Sequence, residues 1–110
     1  MTNSGDGLLV ITTTHDDEAK ARALAADVVR ARLAACAQVY RVRSVYWWDG
    51  EVQDAPEWRI DLKTRAGLAD ALTAFIGERH DYDTPEVVAV PVVAGSPAYL
   101  DWVRAETTER

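Results

Sequence analysis

The sequence is poor in cysteine, methionine and basic side chains, and it has no long apolar run. Its 110 residues include one cysteine, Cys36, and one methionine, Met1. A single cysteine excludes a disulfide within the chain and is typical of proteins kept in a reducing compartment, so we expect a cytoplasmic location. No apolar stretch approaches the roughly 20 residues that a membrane-spanning helix needs, so no membrane is expected as a partner.

The charge balance is acidic. The chain has 12 Lys and Arg residues against 18 Asp and Glu residues, which gives a net charge of -6. Proteins that bind nucleic acid need a basic surface, so nucleic acid is not expected as a partner. The apolar share of 48% and the charged share of 27% are ordinary for a globular protein of one domain.

The domain limits follow from composition. Residues 1–7 are small and polar and lack the basic and apolar regions of a signal peptide, so they are predicted to be a disordered lead. Residues 8–106 form the predicted single domain. Residues 107–110 are predicted to be a polar tail.

Three consecutive aromatic residues precede an Asp-Gly pair at Asp49-Gly50. Asp-Gly between alternating apolar runs predicts a tight hairpin turn, since both central positions must adopt positive φ. Neighbouring side chains of a strand point to opposite faces, so at least one aromatic ring cannot enter the core of its own chain. We therefore expect the hairpin to take part in assembly. The alternative is that a helix covers its outer face. The three aromatic residues are Tyr46, Trp47 and Trp48.

The hydrophobic periodicity predicts the order β-α-β-β-α-β, followed by a short terminal helix. The pattern in the second strand is interrupted between Arg41 and Arg43, which predicts a bend or bulge there. Pro91 cannot donate to a sheet, so the last strand is predicted to lie at an edge. The strands are expected over residues 8–14, 38–48, 51–64 and 86–93, and the helices over 16–35, 67–79 and from 96 onward.

This order predicts an α+β fold of the ferredoxin-like type. Right-handed crossovers place both long helices on one face of a four-stranded antiparallel sheet. The opposite face has no further long helix to cover it, so we expect other subunits of the same protein there.

Candidate metal ligands are few. Cys36 is predicted to end an alanine-rich helix and to be largely buried. A soft-metal site would want a second sulfur nearby, and the sequence has none near Cys36. His80 and Glu86 flank a loop that contains Tyr82 and Pro85, and both are acceptable ligands for zinc or copper. The alternative is that His80 or Tyr82 hydrogen-bonds the loop backbone. Cys36, His80 and Glu86 are thus weak metal candidates, with Cu or Zn as the possible divalent ion.

Two charged residues of the third strand point to one face. Glu57 and Lys63 are an even number of positions apart, so their side chains share a face of the predicted strand. Charges on a central strand that faces an interface need partners, whereas charges on a solvated face do not. Glu57 and Lys63 are therefore either partnered residues of an interface or pocket, or residues of a solvated face, and both interpretations stay open. His15 lies beside two acidic residues and is interpreted as a surface-loop residue.

Five short motifs occur in order over about residues 8–104. They are Leu33-Ala34-Ala35-Cys36; Ser44 with Tyr46, Trp47-Trp48 and Gly50; Glu57 ahead of Lys63-Thr64; His80-Asp81-Tyr82-Asp83-Thr84-Pro85-Glu86; and Gly95 with Tyr99-Leu100 and Trp102. This ordered set resembles the CutA divalent-cation-tolerance family. The resemblance implies a ferredoxin-like subunit in a compact homotrimer similar in assembly to the PII signalling proteins, and a link to tolerance of copper and other divalent metals.

The predicted function is that of a non-enzymatic homotrimer of the divalent-cation (copper) tolerance type, with a role in metal response or signalling. The alternative is a PII-like sensor that holds a small anionic ligand between subunits through Lys63 and His80. A metalloenzyme or hydrolase at the same cleft is a third interpretation, but no phosphate loop or nucleophile elbow is present and no catalytic residue is assigned. The resemblance places the cleft between subunits, with the candidates Tyr46, Trp47, Glu57, Lys63, His80, Tyr82 and Glu86.

Overall fold

The computed structural model describes Gly5 and residues 7–108. The rest of the predicted lead and tail, residues 1–4, 6, 109 and 110, lies outside the described residues. Gly5 is buried, and its N–H donates to the carbonyl of Val93. Thr107, assigned to the tail, is also buried, and its hydroxyl donates to the carbonyl of Val103. Thr107 therefore belongs to the packed domain.

Within the described part, four strands and three α-helices follow one another as β-α-β-β-α-β-α. The sheet is antiparallel throughout, with the order β2-β3-β1-β4. The α+β class and the edge position of the strand that contains Pro91 are confirmed. None of the described helices is long and apolar enough to cross a membrane. The elements are β1 (Leu8–His15), α1 (Glu18–Arg30), β2 (Cys36–Trp48), β3 (Glu51–Arg65), a single 3-10 turn (Ala66–Leu68), α2 (Ala69–Arg79), β4 (Val88–Pro91) and α3 (Pro97–Glu106).

The main core lies between one face of the sheet and the helices α1 and α2. Alternate residues of β1 and β3, such as Ile11, Ile60 and Leu62, point into it and are almost fully buried. Burying each such side chain stabilises the fold by about 1.5–3 kcal/mol. The two helices contribute small and branched residues that let them approach the sheet closely, namely Ala21, Leu24, Ala25, Val28, Leu72 and Ile76.

Helix α1 ends earlier than the sequence predicts. It stops at Arg30, and Arg32 adopts a left-handed backbone conformation with φ of 60° that turns the chain back toward the sheet. The N–H of Ala35 then donates to the carbonyl of Lys63, and β2 begins at Cys36. The prediction that Cys36 ends a helix and is largely buried is wrong. Cys36 is a half-buried strand residue that pairs with Lys63.

The hairpin of β2 and β3 is continuous. Pairing runs from Cys36 opposite Lys63 to Trp48 opposite Glu51, so the bulge offered for the stretch between Arg41 and Arg43 is absent. The turn at Asp49-Gly50 has φ of 52° and 75°, as the sequence predicts. Because β1 ends at His15, opposite Trp58, the part of the hairpin between Trp58 and the Asp49-Gly50 turn pairs only with itself. We call residues 44–57 the hairpin arm.

In the described part of the chain, a helix covers the second face of the sheet at one end only. There, α3 packs Leu100 and Val103 on Leu8 of β1. Arg65 fixes the end of α3 by donating from Nε to the Thr107 hydroxyl at 3.0 Å and from Nη2 to the Thr107 carbonyl at 2.8 Å. The rest of this open face carries exposed apolar side chains in the single chain, namely Tyr40, Val88 and Val90.

A polar network crosses the open face at Asp61 of β3. Its carboxylate accepts hydrogen bonds from the hydroxyls of Thr12 at 2.8 Å and Tyr40 at 2.7 Å, and Arg59 Nε lies 3.4 Å away. Burial alone would raise the pKa of Asp61, but the hydrogen bonds from Tyr40, Thr12 and Arg59 outweigh it and hold the pKa below its ordinary value. Asp61 therefore joins three strands while ionised.

The backbone of the hairpin turn can be tested with two glycine substitutions. Gly50→Ala should lower the free energy of unfolding by about 1–2 kcal/mol, since an alanine at positive φ is strained even in open space. Gly77→Ala is the matched control, because Gly77 lies in α2 with nothing near its added Cβ. It should raise the free energy of unfolding by about 0.5–1 kcal/mol. Chemical denaturation measures both. Equal effects of one sign would contradict the assigned turn.

Candidate functional site

A cleft of about 710 Å³ lies between the hairpin arm and the loop that follows α2. The cleft opens on the sheet face that carries Glu57. In the described part of the chain, its walls contain aromatic rings and carboxylates and no lysine or arginine. The aromatic rings belong to Tyr46, Trp48 and Tyr82, and the carboxylates to Asp16, Glu57, Asp81, Asp83 and Glu86. A cleft of this composition attracts positive charge.

Glu57 and Tyr82 form the buried floor of the cleft. Glu57 is only 9% exposed, although it carries a carboxylate on a central strand. The Tyr82 hydroxyl donates to Glu57 Oε2 at 3.1 Å. Burial raises the pKa of Tyr82 well above its ordinary value, and the hydrogen bond to Glu57 and the charge of Glu57 raise it further. Tyr82 therefore stays protonated and remains a donor.

His80 holds the loop from behind. It follows the last turn of α2, and its Nε2 lies 2.6 Å from the carbonyl oxygen of Thr14 in β1. Its Nδ1 accepts the backbone N–H of Tyr82 at 3.1 Å. Both ring nitrogens are thus engaged, and neither has a lone pair to offer to a metal ion in this arrangement. The loop-bonding alternative for His80 describes the structure.

His15 is the site residue that the sequence interpretation missed. It ends β1 and is 3% exposed, so it is no surface-loop residue. Its Nδ1 accepts the N–H of Asp17 at 3.0 Å, and its ring stacks on those of His80 and Tyr82 with centroids 4.8 and 5.5 Å away. The adjacent acidic residues suggested a solvated turn. Only the pairing of His15 with Trp58 would have revealed a strand end.

An ion pair ties the loop to α1. Asp17 caps α1 by accepting the N–H of Lys20 at 2.9 Å, and the Lys20 ammonium lies 2.7 Å from Asp81 Oδ2. The hydrogen bond from Lys20 and its charge hold the pKa of Asp81 below the ordinary value. His15 Nε2 lies 3.4 Å from the same oxygen. The loop is therefore attached to α1 by Asp81 and to β1 by His80.

The structure brings together most, but not all, of the predicted cleft residues. Tyr46, Glu57, Tyr82 and Glu86 line the cleft, and His80 lies behind it. Trp47 does not line the cleft. Side chains alternate along β2, so the Trp47 ring points to the sheet face opposite that of Tyr46 and Trp48. Trp48 lines the cleft in place of Trp47.

Lys63 lies outside the cleft. It is six positions from Glu57 along β3, which is about 20 Å at about 3.3 Å per residue. The Lys63 ammonium lies 5.2 Å from the ring centroid of Tyr99, at a smaller, apolar pocket beside α3. Within one chain Lys63 and His80 therefore lie apart, and their predicted cluster at a subunit boundary stays a prediction.

The three weak metal candidates do not form one site. Cys36 pairs with Lys63 at the far end of the sheet, His80 has both nitrogens engaged, and Glu86 lines the cleft. Among residues 5 and 7–108, no group of three or more His, Cys, Asp or Glu side chains is arranged to hold a metal ion.

Comparison with known proteins identifies the family. The family model of the CutA1 divalent ion tolerance protein matches residues 9–106. The chain belongs to the CutA1 family. It is 36% identical over 104 residues to the divalent-cation tolerance protein CutA of Escherichia coli, covering 94% of this chain and 93% of that protein.

Some eukaryotic relatives are longer than this chain. The chain is 41% identical over 103 residues to the chloroplastic CutA 1 of Oryza sativa, covering 93% of this chain and 58% of that protein. It is 39% identical over 95 residues to CutA of Mus musculus, covering 86% of this chain and 54% of that protein. The chain therefore spans little more than half the length of these relatives.

Solved CutA structures share the fold. CutA from Synechococcus elongatus has a TM-score of 0.89 at 34% identity, covering 92% of this chain and 90% of the other. CutA1 from Oryza sativa has a TM-score of 0.89 at 38% identity, covering 94% and 95%.

The buried hydrogen bond between Tyr82 and Glu57 can be tested with a single hydroxyl deletion. Tyr82→Phe leaves the buried carboxylate without its donor and should lower the free energy of unfolding by about 1–3 kcal/mol. Tyr46→Phe is the matched control. Its ring lines the same cleft but is 41% exposed, so the effect should stay within about 0.5 kcal/mol. Urea denaturation compares the two. A neutral Tyr82→Phe would show that water satisfies Glu57 equally well.

Proposed function

We propose that this member of the CutA1 family is a cytoplasmic, non-enzymatic homotrimer, with ferredoxin-like subunits, that acts in tolerance of divalent cations. The single observation that supports assembly is the exposure of apolar side chains on both faces of the hairpin arm. Trp47 is 75% exposed, Trp48 is 65% exposed and Val45 is 66% exposed. A soluble protein rarely leaves such a surface in water, so a partner of matching shape covers it.

A second copy of the chain is the partner that fits this surface. The arm projects beyond β1 and presents two hydrogen-bonded strands with aromatic rings on opposite sides. The open face of the sheet carries the exposed apolar residues Tyr40, Val88 and Val90. An arm that reaches across to a neighbour would cover both surfaces at once, and a closed ring of three copies would leave none uncovered.

The charge of the cleft favours a cationic effector over an anionic one. Among the described residues, five carboxylates and no basic side chain line it. We therefore rank the divalent cation, with copper or zinc as candidates, above a small anion. Glu86 is the one predicted metal candidate whose side chain lines the cleft. The role in metal response is the one that the names of the relatives suggest.

Native mass spectrometry at micromolar concentration tests the assembly. The wild type should be a trimer with interfaces of the obligate class, roughly 2,000 Å² or more in total. Trp47→Ser and Trp48→Ser should each weaken the trimer, and by different amounts, because the two rings point to opposite faces. Val29→Ser is the control, since it removes a partly exposed apolar side chain from α1. A wild-type monomer would exclude the proposal.

Calorimetric titration tests the effector. The wild type should bind Cu²⁺ or Zn²⁺ and should not bind inorganic phosphate. Glu86→Gln should weaken cation binding at least about threefold, a loss of about 0.7 kcal/mol. Glu78→Gln is the matched control, because Glu78 is an exposed carboxylate on α2 outside the cleft. Phosphate binding without cation binding would favour the anion sensor, and equal losses in both variants would place the cation elsewhere.

A further inference from the structure

A second pocket, of about 270 Å³, lies between the sheet and α3, and the proposed function does not use it. An apolar cavity of roughly 150 Å³ can hold a benzene ring, so this pocket has room for a small ring or a short branched chain. Its walls are mainly apolar side chains of β1, of α3 and of the segment that joins β4 to α3, among them Leu8, Val10, Val92, Leu100 and Val103.

The walls of this pocket are held in place by the contacts that attach α3 to the sheet. The N–H of Val92 donates to the carbonyl of Leu8 at 3.0 Å, and α3 begins soon afterwards at Pro97. Between them Gly95 passes so close to α3 that an added Cβ would lie 2.9 Å from a methyl carbon of Leu100. Leu100 in turn packs on Leu8. The pocket is therefore a built part of the fold.

Among the described residues, Lys63 is the one charged side chain in the walls of this pocket. It is half-buried, and its ammonium lies 5.2 Å from the centroid of the Tyr99 ring. Lys20 pairs with Asp81, whereas Lys63 has no carboxylate partner in the part of the chain that the structure describes. A half-buried cation attracts an anion more strongly than a cation in bulk water does. The walls therefore match a molecule with an apolar body and one negative charge at its edge.

We propose that the pocket beside α3 binds a small hydrophobic carboxylate. The apolar body of the ligand packs against Leu8 and Leu100, and its carboxylate accepts a charge-assisted hydrogen bond from the Lys63 ammonium. Burial of the apolar body supplies the affinity, and the bond to Lys63 fixes the orientation. A small hydrophilic anion such as inorganic phosphate gains nothing from the apolar walls and is not a ligand of this pocket.

This pocket is separate from the acidic cleft and selects the opposite charge. Glu57 in the cleft and Lys63 at the pocket are about 20 Å apart along β3, at about 3.3 Å per residue. The two sites share no lining residue. The proposal therefore does not depend on cation binding at the cleft, and the chain can hold a cation and a carboxylate at the same time.

Nuclear magnetic resonance on the full ¹⁵N-labelled chain tests the pocket with three probes. Phenylacetate should shift the amide signals of Val10, Lys63 and Leu100. It should bind at least about tenfold more tightly than acetate, which lacks the ring, and than phenylacetamide, which lacks the charge. Equal binding of the three probes, or the absence of shifts at these amides, would overturn the proposal. Native mass spectrometry of the same samples reports assembly independently. A monomer that binds phenylacetate would support the pocket and exclude the trimer, whereas a trimer that does not bind it would overturn the pocket alone.

Two methionine variants separate binding at Lys63 from general attraction to a cation. Lys63→Met keeps an unbranched apolar side chain but removes the charge, so it should weaken phenylacetate binding at least about tenfold and leave phenylacetamide binding unchanged. Arg22→Met is the matched control, because Arg22 is an exposed cation on α1 outside both pockets, and it should change neither. Circular dichroism establishes that each variant folds. Equal losses in the two variants would also overturn the proposal, and the wild-type comparison of probes decides alone if Lys63→Met does not fold.

Discussion

Strand β3 is hydrogen-bonded along both edges, and the core and the cleft both depend on this double pairing. It pairs with β1 from His15 opposite Trp58 onward and with β2 along the hairpin. The alternation of side chains along β3 places Ile60 in the helix-covered core and Glu57 on the opposite face. A shift of the pairing by one residue would exchange the two sets, so the register that buries the core also positions the cleft.

Local chemistry predicts most of this fold. The Asp49-Gly50 turn, the alternation of β3 and the edge strand at Pro91 each follow from short-range rules, and each is confirmed. The end of α1 does not follow from such rules. Alanine has the highest helix propensity, so residues 31–35 appear to continue the helix. The chain turns at Arg32 instead, because Ala35 bonds to the backbone of Lys63 in β3. That contact is long-range, and no local pattern contains it.

The cleft is only partly predictable, because it too depends on contacts between residues far apart in the sequence. Glu57, Tyr82 and Glu86 were expected to lie together, and the structure brings them to one cleft. Periodicity gives the face of a strand and not the position along it, so it places Glu57 and Lys63 on one face but does not give the roughly 20 Å between them. His15 was missed because its partners come from the end of α2, far away in sequence. Its acidic neighbours gave the local signal of a solvated turn, whereas its burial depends on those distant partners.

The unbroken pairing of the hairpin arm limits how its length can change. An extra residue in β2 alone would have to bulge out or displace every pair beyond it. Adding one residue to each strand would keep the pairing, but it would move the side chains of Trp47 and Trp48 at the tip to the opposite faces of the sheet. Only paired additions of two residues per strand preserve both. The arm of this chain can therefore be lengthened with its pairing and its aromatic faces intact only in steps of four residues.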